Sequence, residues 1–265
     1  MTGRPSIELW FADLAHLAAP MAALEAHDPL APTAELEALD GPRRIARMTL
    51  RRLLARTFGR TFARTPFRTG PHGKPFLDEL PGDFNVAHTI GPAMPGGCAL
   101  IGIGRATVIG VDMETTRTVR LDERRRAMII AAAIALGDGA DLPGSDEDRV
   151  LQAWARLEAW GKADGRGIGR TLVKLGIWGR PRDQSFVEAA TSSPISNEPI
   201  RVHDVAVSPA LFAAAAMPRS HAPPSVRFLP TDAAALAAVL SAPDDAANPA
   251  LTSPPGRGTR GRIGA

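Results

Sequence analysis

Twice along this chain an amphipathic helical stretch gives way to apolar, strand-like segments, an order that argues for an α+β fold over an all-helical or all-strand one. In residues 43–60, Ile45, Met48, Leu50, Leu53, Leu54 and Phe58 recur at helical spacing, and arginines take the other side. Pro42 suits the first helical turn and Gly59 the exit. Strands are predicted at residues 84–88, 99–103 and 106–113, the last two as a hairpin through Gly104-Arg105, with residues 91–97 a turn. The order then repeats. Residues 121–136 read as helix, and another runs from a cap at Ser145 or Asp146 to about residue 163, with Glu147 and Asp148 at its positive end. Gly165 and Gly167 break it. Further strands are predicted at 171–178, 200–207, 211–217 and 226–229. The alanines at 213–216 favour helix by propensity, but Pro209 and Pro218 leave room for only about two turns. Residues 6–11 form a weaker strand, 64–80 a Pro/Gly-rich loop, and 21–40 carry a loose, Pro-interrupted signal. The expectation is two similar α+β halves, residues 1–111 and 112–230. After Pro230 the composition collapses to Ala, Pro, Asp, Gly and Arg, so 231–265 reads as a disordered tail.

A chain of 265 residues with 45% hydrophobic and 22% charged residues can bury a sizeable core. The net charge of +3, with a pI near 9.7, permits anionic partners without demanding them. The single cysteine, Cys98, excludes an internal disulfide and a cysteine metal cluster, and its apolar setting reads as buried filler. The N-terminal residues lack the sections of a signal peptide, and no apolar run reaches membrane-spanning length. A cytoplasmic protein with no membrane partner is expected. The sequence holds no Walker phosphate loop, no metalloprotease His pair and no nucleophile elbow.

Chemistry concentrates in two acidic segments. Asp112 and Glu114, in Gly110-Val111-Asp112-Met113-Glu114, are two apart, so on a strand both carboxylates face one way. Like charges side by side repel unless something positive compensates, and a metal ion is an economical compensator. Glu158 and Lys162 are four apart and share a helix face between and beyond Trp154 and Trp160. Three converging carboxylates make a hard oxygen site suited to Mg²⁺, with a lysine one turn away for a phosphate. Taken singly, each element has an ordinary reading: a solvated strand end, an i, i+4 ion pair, an exposed loop lysine at Lys74, a core histidine at His88, and in Arg47 one solvated arginine among several.

The motifs in their order resemble the 4'-phosphopantetheinyl transferase superfamily, closest to its long, two-lobed class. The resemblance rests on Gly73-Lys74-Pro75, on Phe84-Asn85-Val86-Ala87-His88-Thr89, on residues 110–114 and on Trp154 to Gly167, and spans residues 43–229. It implies two pseudo-twofold-related lobes, each a helix packed on a small, mainly antiparallel sheet, with the active site between them. It also implies transfer of the 4'-phosphopantetheine arm of coenzyme A to a serine of an apo acyl or peptidyl carrier protein, by a monomer. Asp112, Glu114 and Glu158 would hold Mg²⁺, with Mn²⁺ an alternative. Glu158 would take the serine proton, and Lys162 would offset charge on the departing nucleotide. Arg47, Lys74 and His88 match phosphate-gripping positions, and Gly73 and Pro75 would shape the loop beside the adenine. Ala87 stands where the family pattern has a serine and Leu157 where it often has lysine. The His88-to-Asp112 stretch is longer than usual, and residues 21–40 lack the basic positions of some members. Arg117, Arg120, Arg124, Arg125 and Arg126 are candidates to meet an acidic carrier helix, although a solvated helix face explains them equally well. A non-catalytic coenzyme A or nucleotide-binding module is the alternative function. A nucleic-acid-binding protein, motivated by the pI and the arginine-rich helix, is disfavoured by the scarcity of aromatic stacking residues.

Overall fold

The computed structural model describes residues 6–30, 32–178 and 198–241. The chain is α+β, with eight helices and small, mainly antiparallel sheets among these residues. Strand β1 (Ser6–Asp13) leads into α1 (Leu14–His27), and the Asp13 carboxylate caps the helix by accepting from Ala15 and His16 amides. Helix α1 runs through Pro20 and on to His27, so the stretch read as loose from residue 21 begins as helix. Helix α2 (Thr33–Glu37) and α3 (Gly41–Phe58) follow. Asp40 caps α3, Pro42 lies in its first turn, and Gly59 ends it with a φ of 102°.

After α4 (Arg60–Arg64) the short strands β2 (Arg68–Thr69) and β3 (Pro75–Phe76) form a two-stranded ladder inside the loop region. Next, β4 (Gly82–Gly91) and β5 (Met94–Arg105) pair antiparallel, so the turn expected at 91–97 shrinks to the residues between them. Strand β6 (Gly110–Thr115) precedes α5 (Glu123–Leu136), α6 (Asp146–Asp164) and α7 (Gly167–Lys174). Strands β7 (Ile200–Asp204), β8 (Leu211–Pro218) and β9 (Val226–Phe228) and helix α8 (Ala233–Leu240) complete the described chain.

One sheet has the order β4-β5-β1-β9, with β9 parallel to β1; another has the order β6-β8-β7. Helices α1, α3 and α8 cover the first sheet through Leu17, Met21, Leu50, Leu53, Leu54 and Leu236. Helices α5, α6 and α7 cover the other through Ile129, Ala155, Leu157, Trp160 and Leu172. A third apolar layer joins the sheets: Leu9, Phe11, Ala87, Cys98 and Leu100 meet Val111, Met113, Ala213 and Ala215. The alanine run lies in the central strand β8, where small side chains let α6 approach.

Several expectations are corrected. Residues 99–103 and 106–113 do not form a hairpin: β6 pairs with β8, and β5 with β4 and β1. Ala106 turns the chain at a φ of 50°, and the side chains of Asp83 and Asn85 take the amides of Ile109 and Val111, at 3.0 and 2.9 Å. Residues 171–178 are not a strand. Ile168, Leu172 and Leu175 reach one core at helical spacing, and this outweighs the β-branched residues. The arginines of α3 do not all face water: Arg51 and Arg52 are buried, because α1 and α2 supply Glu25, Asp28 and Glu35 as partners. Finally, the tail expected from residue 231 begins with an ordered helix, α8, whose Leu236 and Leu240 are buried on α1 and α3. The remainder, 242–265, lies outside the described residues, as do residues 179–197.

Candidate functional site

Close packing of β6 on α6 creates the site. A Cβ added to Gly110 would sit 2.1 Å from the Ala159 carbonyl oxygen and 2.4 Å from the Ala163 nitrogen, so only glycine allows this contact. The strand's alternation then sorts its side chains. Val111 and Met113 enter the apolar layer between the sheets, and Asp112 and Glu114 take the opposite face, towards α6. Helix α6 begins with a capping box between Ser145 and Asp148 and ends at Gly165, which has a left-handed φ of 74°.

Lys162, one turn after Glu158, meets both acids. Its Nζ lies 2.5 Å from Asp112 Oδ1, 3.6 Å from Glu158 Oε2 and 3.2 Å from the Val111 carbonyl oxygen. Trp154 Nε1 donates to Glu158 Oε1 at 3.0 Å and fixes that carboxylate's other oxygen. Glu114 faces Arg117, with Nε and Nη2 at 3.2 and 3.3 Å. Asp112 is nearly fully buried, and its Oδ2 has no hydrogen-bond partner. Burial pushes its pKa up to about 7 against the pull of Lys162, and the negative charges of Glu158 and Glu114 push the same way.

The other candidate residues approach from the first sheet. On β4, Asp83, Asn85 and Ala87 face the second sheet, whereas Phe84, Val86 and His88 face α3. Asp83 ties three segments together. Its Oδ2 accepts from Lys74 Nζ at 2.5 Å and from the Ile109 amide, and its Oδ1 from its neighbour's amide at Phe84. Lys74 also donates to the Ile109 carbonyl at 3.2 Å. The turn carrying it is closed by bonds from Gly70 N to Lys74 O and from Gly73 N to Gly70 O, with Gly73 at a φ of 87°. Pro75 continues this turn into β3. A Cβ on Gly167 would come within 3.7 Å of the His72 carbonyl oxygen, so the turn lies against the α6–α7 junction.

His88 accepts from Arg43 Nε at 3.1 Å through its Nε2, the role of a neutral ring. The protein packed around the ring lowers its pKa, and the positive charges of Arg43, Lys162 and Arg47 add to this. Lys162 and His88 are thus within electrostatic reach of each other. Arg47 is committed elsewhere: it pairs with Glu35 and lies 4.8 Å from the Phe67 ring centroid. Ala87 is buried in the layer between the sheets, on the face opposite His88. Burial raises the Cys98 thiol to about 12, which keeps it protonated and inert.

The structure therefore brings Asp112, Glu158 and Lys162 to one point, with Glu114 beside them and Gly73-Lys74-Pro75 and His88 on neighbouring elements. Arg47 and Ala87 have other contacts. Sequence reasoning missed Asp83 and Arg43, and the parts played by Asn85 and Trp154. Asp83 and Asn85 carried a usable signal: two polar residues at strand alternation beside an apolar run, the pattern that singled out Asp112 and Glu114. Among the described residues no three His, Cys, Asp or Glu side chains are already gathered as a metal-holding group, and Lys162 and Arg117 stand against the acids. The acids nevertheless suit a hard cation: all their donors are oxygens, and Asp112 Oδ2 is buried without a partner. No protein-family model matches this chain, and no curated protein matches it.

Proposed function

We propose that this protein is a phosphopantetheinyl transferase that moves the 4'-phosphopantetheine group of coenzyme A to a serine of an apo acyl or peptidyl carrier protein. The observation that carries the reading is the meeting of Asp112, Glu158 and Lys162, which come from motifs far apart in sequence, within 2.5 and 3.6 Å of one ammonium. Coenzyme A would lie between two lobes, one built on each sheet, and the carrier would approach near α5 and α6. The protein would act as a cytoplasmic monomer.

Asp112, Glu114 and Glu158 would hold Mg²⁺ or Mn²⁺. The ion would neutralise diphosphate charge and orient the bond that breaks. Glu158, steadied by Trp154, is the group to take the proton of the carrier serine. Lys162 offsets charge on the departing adenosine 3',5'-bisphosphate. His88 and Arg43 form a polar edge suited to the nucleotide's phosphates. The Gly73-Lys74-Pro75 turn offers its backbone, since the Lys74 ammonium already meets Asp83. The side chain of Arg47, held by Glu35, would have to leave that partner to reach a phosphate.

The test mixes the protein with apo carrier proteins, coenzyme A and Mg²⁺ and weighs the carriers by mass spectrometry. A phosphopantetheine adduct is expected that vanishes with chelator and with Asp112→Ala. Coenzyme A binding without an adduct on any carrier would sink the transferase reading in favour of a binding module.

A further inference from the structure

The Lys162 ammonium has three N–H donors, and three acceptors surround it: Asp112 Oδ1, Glu158 Oε2 and the Val111 carbonyl oxygen. It is the cation nearest to both acids, and it draws together carboxylates from a strand and a helix whose like charges would otherwise repel. Its side chain is 27% exposed, against 7% for Asp112, so the ammonium sits at the open side of the acids while Asp112 is closed in. Its carbon stem is flexible, and an ammonium is a compact point charge that water solvates well. Arg117 plays a comparable part for Glu114 but is 48% exposed, with an i, i+3 partner of the kind that separates readily in water.

We propose that Lys162 is the built-in cation of the acid site, and that a divalent ion binds there by displacing its ammonium from Asp112 and Glu158. The inference rests on the reading of these acids as metal ligands. It assigns Lys162 a second part, setting the affinity of the site, which differs from a direct contact with the leaving nucleotide. A small divalent ion needs carboxylate oxygens at close range, and Asp112 Oδ1 and Glu158 Oε2 already face one point, the one that Nζ now occupies, with the unpartnered Asp112 Oδ2 beside it. Ion and ammonium therefore compete for the same lone pairs. Removing the ammonium removes the competitor; a guanidinium in its place keeps it.

Binding of Mn²⁺ alone, followed by electron paramagnetic resonance at constant ionic strength, tests this with the full chain and Lys162→Met, Lys162→Gln, Lys162→Arg and Asp112→Asn. Wild type is expected to bind Mn²⁺, and Asp112→Asn to bind it at least about tenfold more weakly. Lys162→Met and Lys162→Gln are expected to bind at least about tenfold more tightly than wild type, and Lys162→Arg no more tightly. Thermal melts report folding independently. Should Lys162→Met fail to fold without the ion, Lys162→Gln, which keeps a hydrogen-bond donor, carries the comparison. Equal or weaker binding by the folded neutral variants overturns the proposal while leaving the metal reading in place. Binding indifferent to Asp112→Asn, or no binding by any form, overturns the metal reading and this inference together.

Discussion

Asp112 is the residue on which the site's chemistry turns. Its carboxyl is buried, one oxygen faces Lys162, and the other has no partner. A carboxyl whose pKa is raised from 3.8 to about 7 binds its proton more tightly folded than unfolded. Its contribution to stability is therefore complete below pH 3.8 and is lost as pH rises through about 7. In chelator, urea titrations between pH 4 and 8 should show stability falling as pH rises, and Asp112→Asn should flatten the profile. An unchanged pH profile in Asp112→Asn would show that another group is responsible. Arg156 makes a useful contrast within the same motif. It is buried, forms a two-pronged pair with Asp204 at 2.7 Å, and donates to the Ala140 carbonyl at 2.8 Å, so it serves the join between α6, β7 and the loop after α5.

Between elements, the β6–α6 contact sets the geometry. Gly110 has van der Waals space for a hydrogen and no more, because Ala159 and Ala163 present helix backbone. Gly110→Ala should push the strand away from the helix, lower stability by about 1–3 kcal/mol or more, and lengthen the reach from Asp112 to Lys162. Denaturation together with Mn²⁺ affinity checks this, and wild-type values for both would refute it. The other side of β6 is held by side chains from β4, through Asp83 and Asn85, so the strand is positioned from two directions. Helix α7 shows how a short segment is decided: its apolar residues satisfy a helical period and a helical partner face, whatever the strand propensity of its threonine and valine.

For the molecule as a whole, the notable feature is the return of the chain. After building the β6-β8-β7 sheet it comes back, lays β9 parallel to β1 and packs α8 on α1 and α3. Residues near the described C-terminus thus complete the core that residues near the described N-terminus began. Leu236→Ala, at a fully buried position, should cost about 2–5 kcal/mol in chemical denaturation. A loss below about half a kcal/mol, the usual range for surface changes, would mean that α8 is not part of this core. Among the described residues no helix is long and apolar enough to cross a membrane.

Local pattern was enough to place α3, α5 and α6, with a cap at Ser145 or Asp146 and a stop at Gly165 and Gly167, and to put Asp112 and Glu114 on one strand face and Glu158 and Lys162 on one helix face. These follow from periodicity and from the unpaired backbone groups at helix ends, both of which are local. Which strand accepts β6, which arginines are buried, and which carboxylate Lys74 meets are decided only when segments far apart in sequence come together. Arg51 and Arg52 illustrate why. Nothing within α3 distinguishes them from Arg43 or Arg44; they are buried because acids on α1 and α2 fold over that side of the helix. The same holds for the meeting of Asp112 with Lys162. Alternation and helical spacing aim each side chain, but the distance between them depends on a glycine that lets a strand and a helix touch.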